Sequence, residues 1–380
     1  MKKILFISSS RADYGLLRNL ILETQRLNPE TYLMVTGSHL SKEFGETVFE
    51  IKKDRIKKII KKKILEPKFR EKNISNYIER TIKATSLIIK KIQPDTLVIL
   101  GDRYELLGCA IAATIFRVPI THLHGGEITS GAYDDSIRHS ISKLSHLHFP
   151  VHEKYRNRLI QLGESPKTIF NYGALGAHSI KNINFKSKVE LERELKIKLD
   201  KKIFLITFHP TTLEKSKSKF QILNLLSALK KFSNEIKIFT SPNFDHENKV
   251  IKNEILNFIK KNKNSFFYSS LGHLNYISLM KISSFVIGNS SSGILETPSL
   301  GIPTINIGNR QKGRIISKNI INSNYETKHI VKNIRKAALL NKKKLQKIGS
   351  PFYKKGSPKQ IAKKIIHFNF NLKKIFYDLI

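Results

Sequence analysis

Short apolar runs alternate with longer amphipathic stretches through most of this chain, and that alternation constrains the fold more than any other feature. Alternation of this kind predicts a parallel β-sheet covered by helices, because each strand must return to the same edge of the sheet through a helix. In the first half, strands are predicted at 3–9, 32–36, 96–100, 120–124 and 169–172, and helices at 16–27, 74–93, 104–116, 136–144 and 153–162.

The pattern breaks between 176 and 200 and then restarts. In the second half, strands are predicted at 203–208, 236–240, 266–268, 285–287 and 304–307, and helices at 220–232, 247–260, 274–282 and 330–340. A chain of 380 residues exceeds a usual single core. We therefore predict an α/β protein with one Rossmann-like domain at 1–178, a second at 190–358, and a C-terminal helix or tail at 359–380 that packs back on the first domain. Such sheets bind ligands beyond the carboxyl ends of their strands, so we expect a ligand in a cleft between the two domains.

The formal net charge of +38 allows two interpretations. A concentrated basic face would suit a nucleic-acid-binding protein. Here lysine is spread over most surface-like stretches, isoleucine and asparagine are abundant and tryptophan is absent, which indicates a compositional bias instead. Lysine clusters at 52–63 and 341–347 are typical of solvated faces. We expect no nucleic-acid partner.

The apolar runs and the cysteine content of the sequence indicate in which cellular compartment the protein resides. No apolar run approaches the length that crosses a bilayer, and the basic residues before the first apolar run are followed too soon by charges for a signal peptide. The single cysteine, Cys109, excludes an internal disulfide and fits a reducing compartment. We therefore expect a cytoplasmic protein with no membrane partner.

Two motifs follow predicted strands near the start of the chain. Residues 8–15 (SSSRADYG) open the first predicted helix, where backbone N–H groups and Arg11 would attract a phosphate. The stretch lacks the glycine pattern of a dinucleotide site and the lysine of a P-loop. Asp102 and Arg103 follow the strand at 96–100, and the alternative to a functional role there is a helix cap with a surface arginine.

The sequence HLHGGE at 122–127 is the richest motif of the first half. On a strand, His122 and His124 would point to the same side, and two glycines then allow close backbone approach. With Asp102 and Asp134, His124 and Glu127 would lie at one sheet edge. Clustered carboxylates and imidazoles suit proton transfer, and they also bind metals. We favour proton transfer with no metal, because no ligand spacing such as H-x-x-x-H occurs.

In the second half, the strongest signal is GNSSSGILE at 288–296, a strand end, a polar turn and a helix start. Serine hydroxyls and backbone amides there would cradle a diphosphate, and Glu296 would accept hydrogen bonds from ribose hydroxyls. His209 ends the first strand of this half, and Asn243 follows the next one. Arg310 adds a cation near the same edge.

Together these motifs resemble the hydrolysing UDP-N-acetylglucosamine 2-epimerases, in order from residue 1 to about 315. The stretches that carry the resemblance are 10–15, 101–103, 124–127, 133–140, 208–210, 288–293 and 307–314. The resemblance implies a GT-B fold of two Rossmann-like domains and conversion of UDP-N-acetylglucosamine and water to N-acetylmannosamine and UDP, for bacterial sialic acid. In that family UDP leaves by elimination after deprotonation at C2, and water then adds to the 2-acetamidoglucal. No cofactor takes part, and a homo-oligomer, a dimer or tetramer, is expected.

The resemblance also implies roles for individual residues. Asp102 and Asp134 would be acid–base groups, and Arg103 would lie near the nucleotide. Many relatives read E-G-G-E where this chain has H-G-G-E, and that glutamate is a leading base in them. Either His124 or Glu127 therefore takes its role, with His124 as the sharper hypothesis, or the proton path differs. A subset of bacterial sialic-acid enzymes resembles this chain in carrying the histidine. The residues that would bind the nucleotide and its diphosphate are Arg11, His209, Asn243, Ser290, Ser291, Glu296 and Arg310.

Three alternatives remain open. The first is a hydrolysing 2-epimerase for UDP-2,4-diacetamido-trideoxyhexose, on the legionaminic acid pathway, because the motifs concern UDP and C2 rather than C4 and C6. The second is a GT-B glycosyltransferase, although sugar transfer needs no deprotonation of carbon. The third is a basic nucleic-acid-binding protein, against which the scattered lysines argue.

Overall fold

The computed structural model describes residues 1–42, 46–66, 73–214, 217–242 and 247–379. Its strands form two separate parallel sheets. The first contains β1 (Ile4–Ser8), β2 (Thr31–Val35), β3 (Lys58–Lys61), β4 (Thr96–Leu100), β5 (Ile120–Leu123) and β6 (Leu147–Phe149). The second contains β7 (Ile203–Thr207), β8 (Ile236–Thr240), β9 (Ser265–Tyr268), β10 (Phe285–Gly288), β11 (Thr304–Ile307) and β12 (Ile320–Ser323).

Helices separate the strands in both halves. In the first half they are α1 (Arg11–Leu27), α2 (Val48–Lys52), α3 (Ile74–Ile92), α4 (Tyr104–Ile115), α5 (Asp134–Leu144), α6 (Glu153–Gln161), α7 (Leu175–Asn182) and α8 (Lys188–Leu195). In the second half they are α9 (Ser218–Lys230), α10 (Asn248–Lys260), α11 (His273–Ile282), α12 (Ser292–Leu295), α13 (Thr297–Leu300), α14 (Thr327–Ala338), α15 (Lys342–Ile348) and α16 (Ser357–His367). Short 3₁₀ helices occupy Gly37–Leu40 and Pro166–Thr168.

Both sheets have the strand order of a doubly wound Rossmann-like sheet, which confirms the predicted fold class. The first sheet runs β3-β2-β1-β4-β5-β6 and the second β12-β11-β10-β7-β8-β9. The order reverses at β1 and β4 in the first sheet and at β7 and β10 in the second. Ligands bind such sheets at the carboxyl ends of the strands that flank the reversal.

Helices cover both faces of each sheet. Alternate residues of β1 enter two different clusters of buried side chains, Ile4 and Phe6 on one face and Leu5 and Ile7 on the other. Residues 203–206 of β7 divide between two clusters in the same way. The near-continuous apolar strands of the sequence therefore reflect burial on both faces, as is usual for parallel sheets.

The chain divides into two compact units whose limits differ from the predicted domains. The first comprises 1–127, 134–179 and the chain from 352 onward; the second comprises 128–133 and 180–351. The chain rejoins the first unit at 352 because Phe352 is fully buried there and its carbonyl accepts a hydrogen bond from the Ala174 N–H at 2.7 Å.

Segment 128–133 belongs to the second unit, as its hydrogen bonds show. The backbone N–H of Ser130 donates to the Lys312 carbonyl at 3.2 Å, and that of Tyr133 donates to Thr212 Oγ1 at 3.1 Å.

The C-terminal helix packs on the first unit, as predicted. Ile361, Ala362 and Ile365 of α16 enter the core cluster that includes α1. Beyond α16, Lys374 Nζ lies 2.7 Å from Glu164 Oε2, and the Tyr377 N–H donates to the Gly163 carbonyl at 2.9 Å. The tail is therefore held on the first unit by an ion pair and a backbone hydrogen bond.

Three sequence predictions are corrected. Residues 169–172 form no strand, because only Ile169 makes an isolated bridge, to His148 of β6. Within 176–200 the chain forms α7 and α8 instead of a plain linker, with a Ser187–Glu190 capping box at the start of α8. The lysine-rich run at 52–63 contains the edge strand β3. The short strands β6 and β12 were not predicted.

Candidate active site

Four side chains predicted to transfer protons lie in the first unit, beyond the carboxyl ends of β4 and β5. Asp102 follows β4, His124 follows β5 directly, Glu127 lies three residues further, and Asp134 begins α5. The reversal of strand order places ligands at this edge in folds of this type.

Arg138 connects three of these segments. It is 1% exposed, forms an ion pair with Asp102, and donates from Nη1 to the Glu127 carbonyl at 3.0 Å. Nη1 also lies 3.4 Å from Asp135 Oδ1. A buried guanidinium requires such partners, because an unpaired charge in the interior is costly. Arg138 therefore fixes Asp102 relative to the 124–127 turn.

Arg138 had no role among the sequence predictions. The sequence does contain one indication that Arg138 lies near the site. Arg138 stands four residues after Asp134, so the two share a face of α5. That spacing does not reveal which carboxylate an arginine pairs with. In the structure Arg138 pairs with Asp102 and Asp135.

His124 and Glu127 form a buried pair. His124 Nδ1 lies 3.1 Å from Glu127 Oε1, and the side chains are 9% and 1% exposed. An ionised carboxylate only accepts hydrogen bonds, so the proton of a neutral His124 resides on Nδ1. Its Nε2 is buried and has no hydrogen-bond partner among the described residues. That nitrogen is therefore a lone-pair acceptor oriented by its carboxylate partner.

The backbone at His124 differs from the predicted strand. β5 ends at Leu123, and His124 has φ of 64°, in the left-handed region that few non-glycine residues adopt. Its N–H donates to the Phe149 carbonyl at 3.0 Å, which holds the residue in place. The imidazole is consequently directed by a turn, and the expectation that His122 and His124 share one face of a strand is wrong.

His122 has a different environment. Its Nε2–H donates to the Gly101 carbonyl at 2.8 Å, and its Nδ1 accepts from Ser142 Oγ at 3.0 Å. Burial lowers the pKa of His122 to about 3, so the ring is neutral at physiological pH. His122 therefore ties the residue before Asp102 to α5 and is not a proton carrier.

Asp134 is the remaining predicted acid–base group. Its Oδ2 is buried and has no hydrogen-bond partner in the part of the chain that the structure describes. Its neighbour Asp135 lies near Arg138 and, at 3.6 Å, near His139 Nε2. Of the two carboxylates, Asp134 thus has the oxygen left over for a ligand.

Two arginines of the first unit were predicted to lie near the nucleotide. Arg11 is the first residue of the 17-residue α1, whose N-cap Ser10 accepts from the Asp13 N–H. Positive potential at this helix start adds to that of Arg11. Arg103 precedes α4, and its Nη2 lies 3.0 Å from Oε1 of Glu105, which is 1% exposed. Arg103 is thus anchored by an internal carboxylate.

In the second unit, Asn289 joins the ends of β7 and β10. Its Oδ1 accepts from the His209 N–H at 2.7 Å, and its Nδ2 donates to the His209 carbonyl at 2.8 Å. The Asn289 carbonyl accepts from Arg310 Nη1 at 3.2 Å and from Gln311 Nε2 at 2.8 Å. Two predicted residues, His209 and Arg310, are therefore linked through one asparagine for which no role was predicted.

Only glycine fits immediately before this asparagine. Gly288 has φ of 136°, and a Cβ there would lie 1.9 Å from the Thr207 carbonyl oxygen. The close approach of β7 and β10 thus depends on a missing side chain.

The serines and glutamate of the predicted diphosphate cradle follow. Ser290 and Ser291 are partly exposed, and Ser292 Oγ lies 2.6 Å from the hydroxyl of Tyr276. The helix α12 that they precede has four residues. Glu296 is 7% exposed, and burial raises its pKa to about 7. Donors on a ligand would favour its charged form. Asn243 lies outside the described residues.

Neither a metal centre nor a membrane span is found in the described residues. No group of three or more His, Cys, Asp or Glu side chains in them is arranged to hold a metal ion. None of the described helices combines the length and apolar character that a membrane span needs.

Comparisons with known proteins agree on one family. The model of the family described as UDP-N-acetylglucosamine 2-epimerase matches residues 23–366. A Campylobacter jejuni GDP/UDP-N,N'-diacetylbacillosamine 2-epimerase (hydrolyzing) is 47% identical over 85% of this chain and 84% of its own length. The polysialic acid biosynthesis protein P7 of Escherichia coli is 39% identical over 88% and 85%.

A crystal structure supports the fold. The Neisseria meningitidis UDP-GlcNAc 2-epimerase, solved with UDP-GlcNAc, superimposes with a TM-score of 0.80 over 96% of this chain and 99% of its own, at 18% identity. At that identity the likeness establishes the two-sheet GT-B fold.

Proposed function

Because the chain belongs to the UDP-N-acetylglucosamine 2-epimerase family, we propose that it is a hydrolysing 2-epimerase of a nucleotide-activated 2-acetamido sugar. A base removes the C2 proton, the C1–O bond breaks, and its electron pair leaves with the nucleoside diphosphate. Water then adds to the resulting glycal, with hydroxyl at C1 and a proton at C2 on the opposite face. The products are the free 2-epimeric sugar and the diphosphate.

The buried His124–Glu127 pair is the observation that carries this proposal. Removal of a carbon-bound proton requires a base of fixed position and tautomer, and the pair supplies an imidazole nitrogen held by a carboxylate. We assign His124 as the base and Glu127 as the residue that orients it and stabilises its protonated form. Asp102 and Asp134 are assigned to proton delivery and to the incoming water.

Nucleotide binding is assigned to a second group. Elimination develops negative charge on the departing diphosphate, and cations with oriented amides stabilise it. Arg310, anchored on Asn289, and the 290–291 serines would contact that diphosphate, with Glu296 on the ribose. The remaining members of the proposed nucleotide group are Arg11, Arg103, His209 and Asn243.

We propose N,N'-diacetylbacillosamine as the activated sugar. Its support is the name of the Campylobacter relative at 47% identity. UDP-N-acetylglucosamine, giving N-acetylmannosamine for sialic acid, is the second candidate, and the polysialic acid relative supports it. The sequence motifs had favoured UDP-N-acetylglucosamine, so this order reverses that preference. The motifs concern the nucleotide and C2, and they say little about the substituent at C4.

The test is incubation of the protein with the UDP and GDP forms of N,N'-diacetylbacillosamine and with UDP-N-acetylglucosamine. We expect release of nucleoside diphosphate together with a free sugar of inverted configuration at C2, identified by NMR. Release of a sugar with unchanged configuration would contradict the proposal. Transfer of the intact sugar to an added acceptor would instead support a glycosyltransferase.

A further inference from the structure

A cavity in the second unit lies beyond the carboxyl ends of β11 and β12. Its volume is about 340 Å³, and its lining includes Gln311, Lys312, Arg314 and Ser323. β11 is the sheet neighbour of β10, which leads into the 288–296 turn. The cavity therefore opens at the same sheet edge as the proposed nucleotide group. Its size falls within the range of small-molecule pockets.

Gln311 has one amide atom engaged and one unmatched. The side chain is 1% exposed, and Nε2 donates to the Asn289 carbonyl at 2.8 Å. Because a carbonyl only accepts, this contact fixes which end of the amide is nitrogen. Oε1 is buried and has no hydrogen-bond partner among the described residues. A buried acceptor without a donor is costly, so a ligand that supplies an N–H or O–H is expected.

Ser323 adds a second unmatched group. It ends β12, is 7% exposed, and its Oγ is also buried without a partner in the described chain. The backbone beside it is satisfied, since the Gly308 N–H donates to the Ser323 carbonyl at 2.7 Å. Two residues that line the cavity thus each carry an unmatched polar atom, which points to a specific polar ligand rather than to an apolar void.

The chemistry of the lining selects among polar groups. A phosphate or carboxylate presents only acceptors, so it would suit the positive charge of Lys312 and Arg314 but leave Gln311 Oε1 unmatched. A secondary amide presents an N–H donor and a carbonyl acceptor. It would therefore match Gln311 Oε1 through its N–H and the cationic side chains or the Ser323 hydroxyl through its oxygen.

We propose that this cavity binds the second, C4-linked acetamido group of a 2,4-diacetamido sugar, with Gln311 Oε1 accepting its N–H. The inference rests on the proposed function, since it names what distinguishes the two candidate sugars at that site. UDP-N-acetylglucosamine carries a hydroxyl at C4 and fills less of the cavity. Gln311 and Ser323 are thus specificity-determining residues.

The test compares kcat/KM for UDP-N,N'-diacetylbacillosamine and UDP-N-acetylglucosamine in the wild type, Gln311→Met and Ser323→Ala. The readout is the ratio of kcat/KM for the diacetamido sugar to kcat/KM for UDP-N-acetylglucosamine. Loss of the Gln311–Asn289 hydrogen bond in Gln311→Met would lower both values alike, so that general effect cancels in the ratio. We expect each variant to lower the ratio by about tenfold or more, which is the effect of leaving one buried hydrogen-bonding group unpaired. Equal losses for both sugars, or no change, would overturn the inference.

Ser265→Ala is the matched control. Ser265 is likewise 7% exposed with a buried, unpartnered Oγ among the described residues, but it begins β9 and does not line the cavity. We expect it to leave the ratio unchanged. If Ser265→Ala lowered the ratio as much as Ser323→Ala does, the effect would reflect a general loss of folding. That result would contradict the assignment.

Calorimetric binding of the two nucleotide sugars separates the two proposals. If neither sugar is turned over, the proposed function fails, and preferential binding of the diacetamido sugar, abolished by Ser323→Ala, would still support the cavity assignment. If only UDP-N-acetylglucosamine is bound and turned over, the family reaction stands and the cavity assignment is wrong.

Discussion

The Nδ1 atom of His124 lies 3.1 Å from Oε1 of Glu127, and the opposite ring nitrogen is buried without a hydrogen-bond partner in the described residues. The resemblance of the sequence motifs implies that many relatives use a glutamate as the base at the position of His124. The pair offers a chemical replacement for that base, because the carboxylate holds the Nδ1 proton and leaves the Nε2 lone pair to accept another.

Replacing His124 tests its role as the base. His124→Gln removes the basic nitrogen while keeping a polar side chain of similar length. We expect kcat to fall by about 10²- to 10⁴-fold, the usual contribution of a positioned base. Affinity for UDP, measured by calorimetry, should remain that of the wild type. An unchanged kcat would assign the base elsewhere.

Arg138 is expected to matter for both stability and turnover. Arg138→Met would leave Asp102 without its cation and the Glu127 carbonyl without its donor. We expect a loss of about 3 kcal/mol in the free energy of unfolding, as found when one partner of a buried pair is removed, with a reduced kcat. Urea unfolding measures the first. Arg156→Met, which breaks an exposed pair with Glu153, should have little effect. Equal stability of the two variants would contradict the buried-pair account.

Asn289 should be required for nucleotide binding. Asn289→Ala removes both hydrogen bonds to His209 and disturbs the carbonyl that anchors Arg310. We expect weaker binding of UDP by about tenfold or more, because two buried backbone groups lose their partners. Asn289→Asp keeps the acceptor for the His209 N–H but not the donor, so its effect should be intermediate. UDP affinity at wild-type strength in Asn289→Ala would exclude this organising role.

Buried histidines should make stability fall in mild acid. Burial lowers the pKa of His122 to about 3, and that of His39, which contacts Ser8 and Thr47, to about 4. Below pH 6.5 the unfolded chain binds protons that the folded chain does not, so stability present above pH 6.5 declines toward pH 4. For each histidine the free energy of unfolding falls by about 1.4 kcal/mol per pH unit in this range, which amounts to roughly 6 kcal/mol for the two together at pH 4.

Urea unfolding between pH 4 and pH 7.5 measures this dependence. His39→Gln, which has no proton to gain, should flatten the decline although it also lowers stability at pH 7.5. A decline as steep in His39→Gln as in the wild type would assign the acid sensitivity to other groups.

Much of the fold could be predicted because the inner strands are strongly apolar. The predicted runs at 96–100, 236–240 and 304–307 coincide with β4, β8 and β11. The edge strand β3 was missed because its lysines make it resemble a solvated loop.

The sequence predicted which residues belong to the candidate site better than it predicted which of their side chains pair with each other. Polar residues at strand ends are visible in the sequence, so the motifs of 124–127 and 288–296 could be found. The pairing of Arg138 with Asp102 joins residues 36 positions apart, and that of Asn289 with His209 joins residues 80 apart. Those pairings arise from packing, which local patterns do not encode. The turn at His124 was likewise not predictable, because its positive φ is stabilised by a bond to Phe149 on the neighbouring strand.

The most direct test of the central claim is incorporation of deuterium from solvent at C2. The protein is incubated in deuterated water with UDP-N,N'-diacetylbacillosamine and, separately, with UDP-N-acetylglucosamine, and the free sugar is analysed by NMR and mass spectrometry. Deprotonation, elimination and hydration predict a released sugar with inverted configuration and one deuterium at C2. A free sugar that retains hydrogen and its original configuration at C2 would contradict the account.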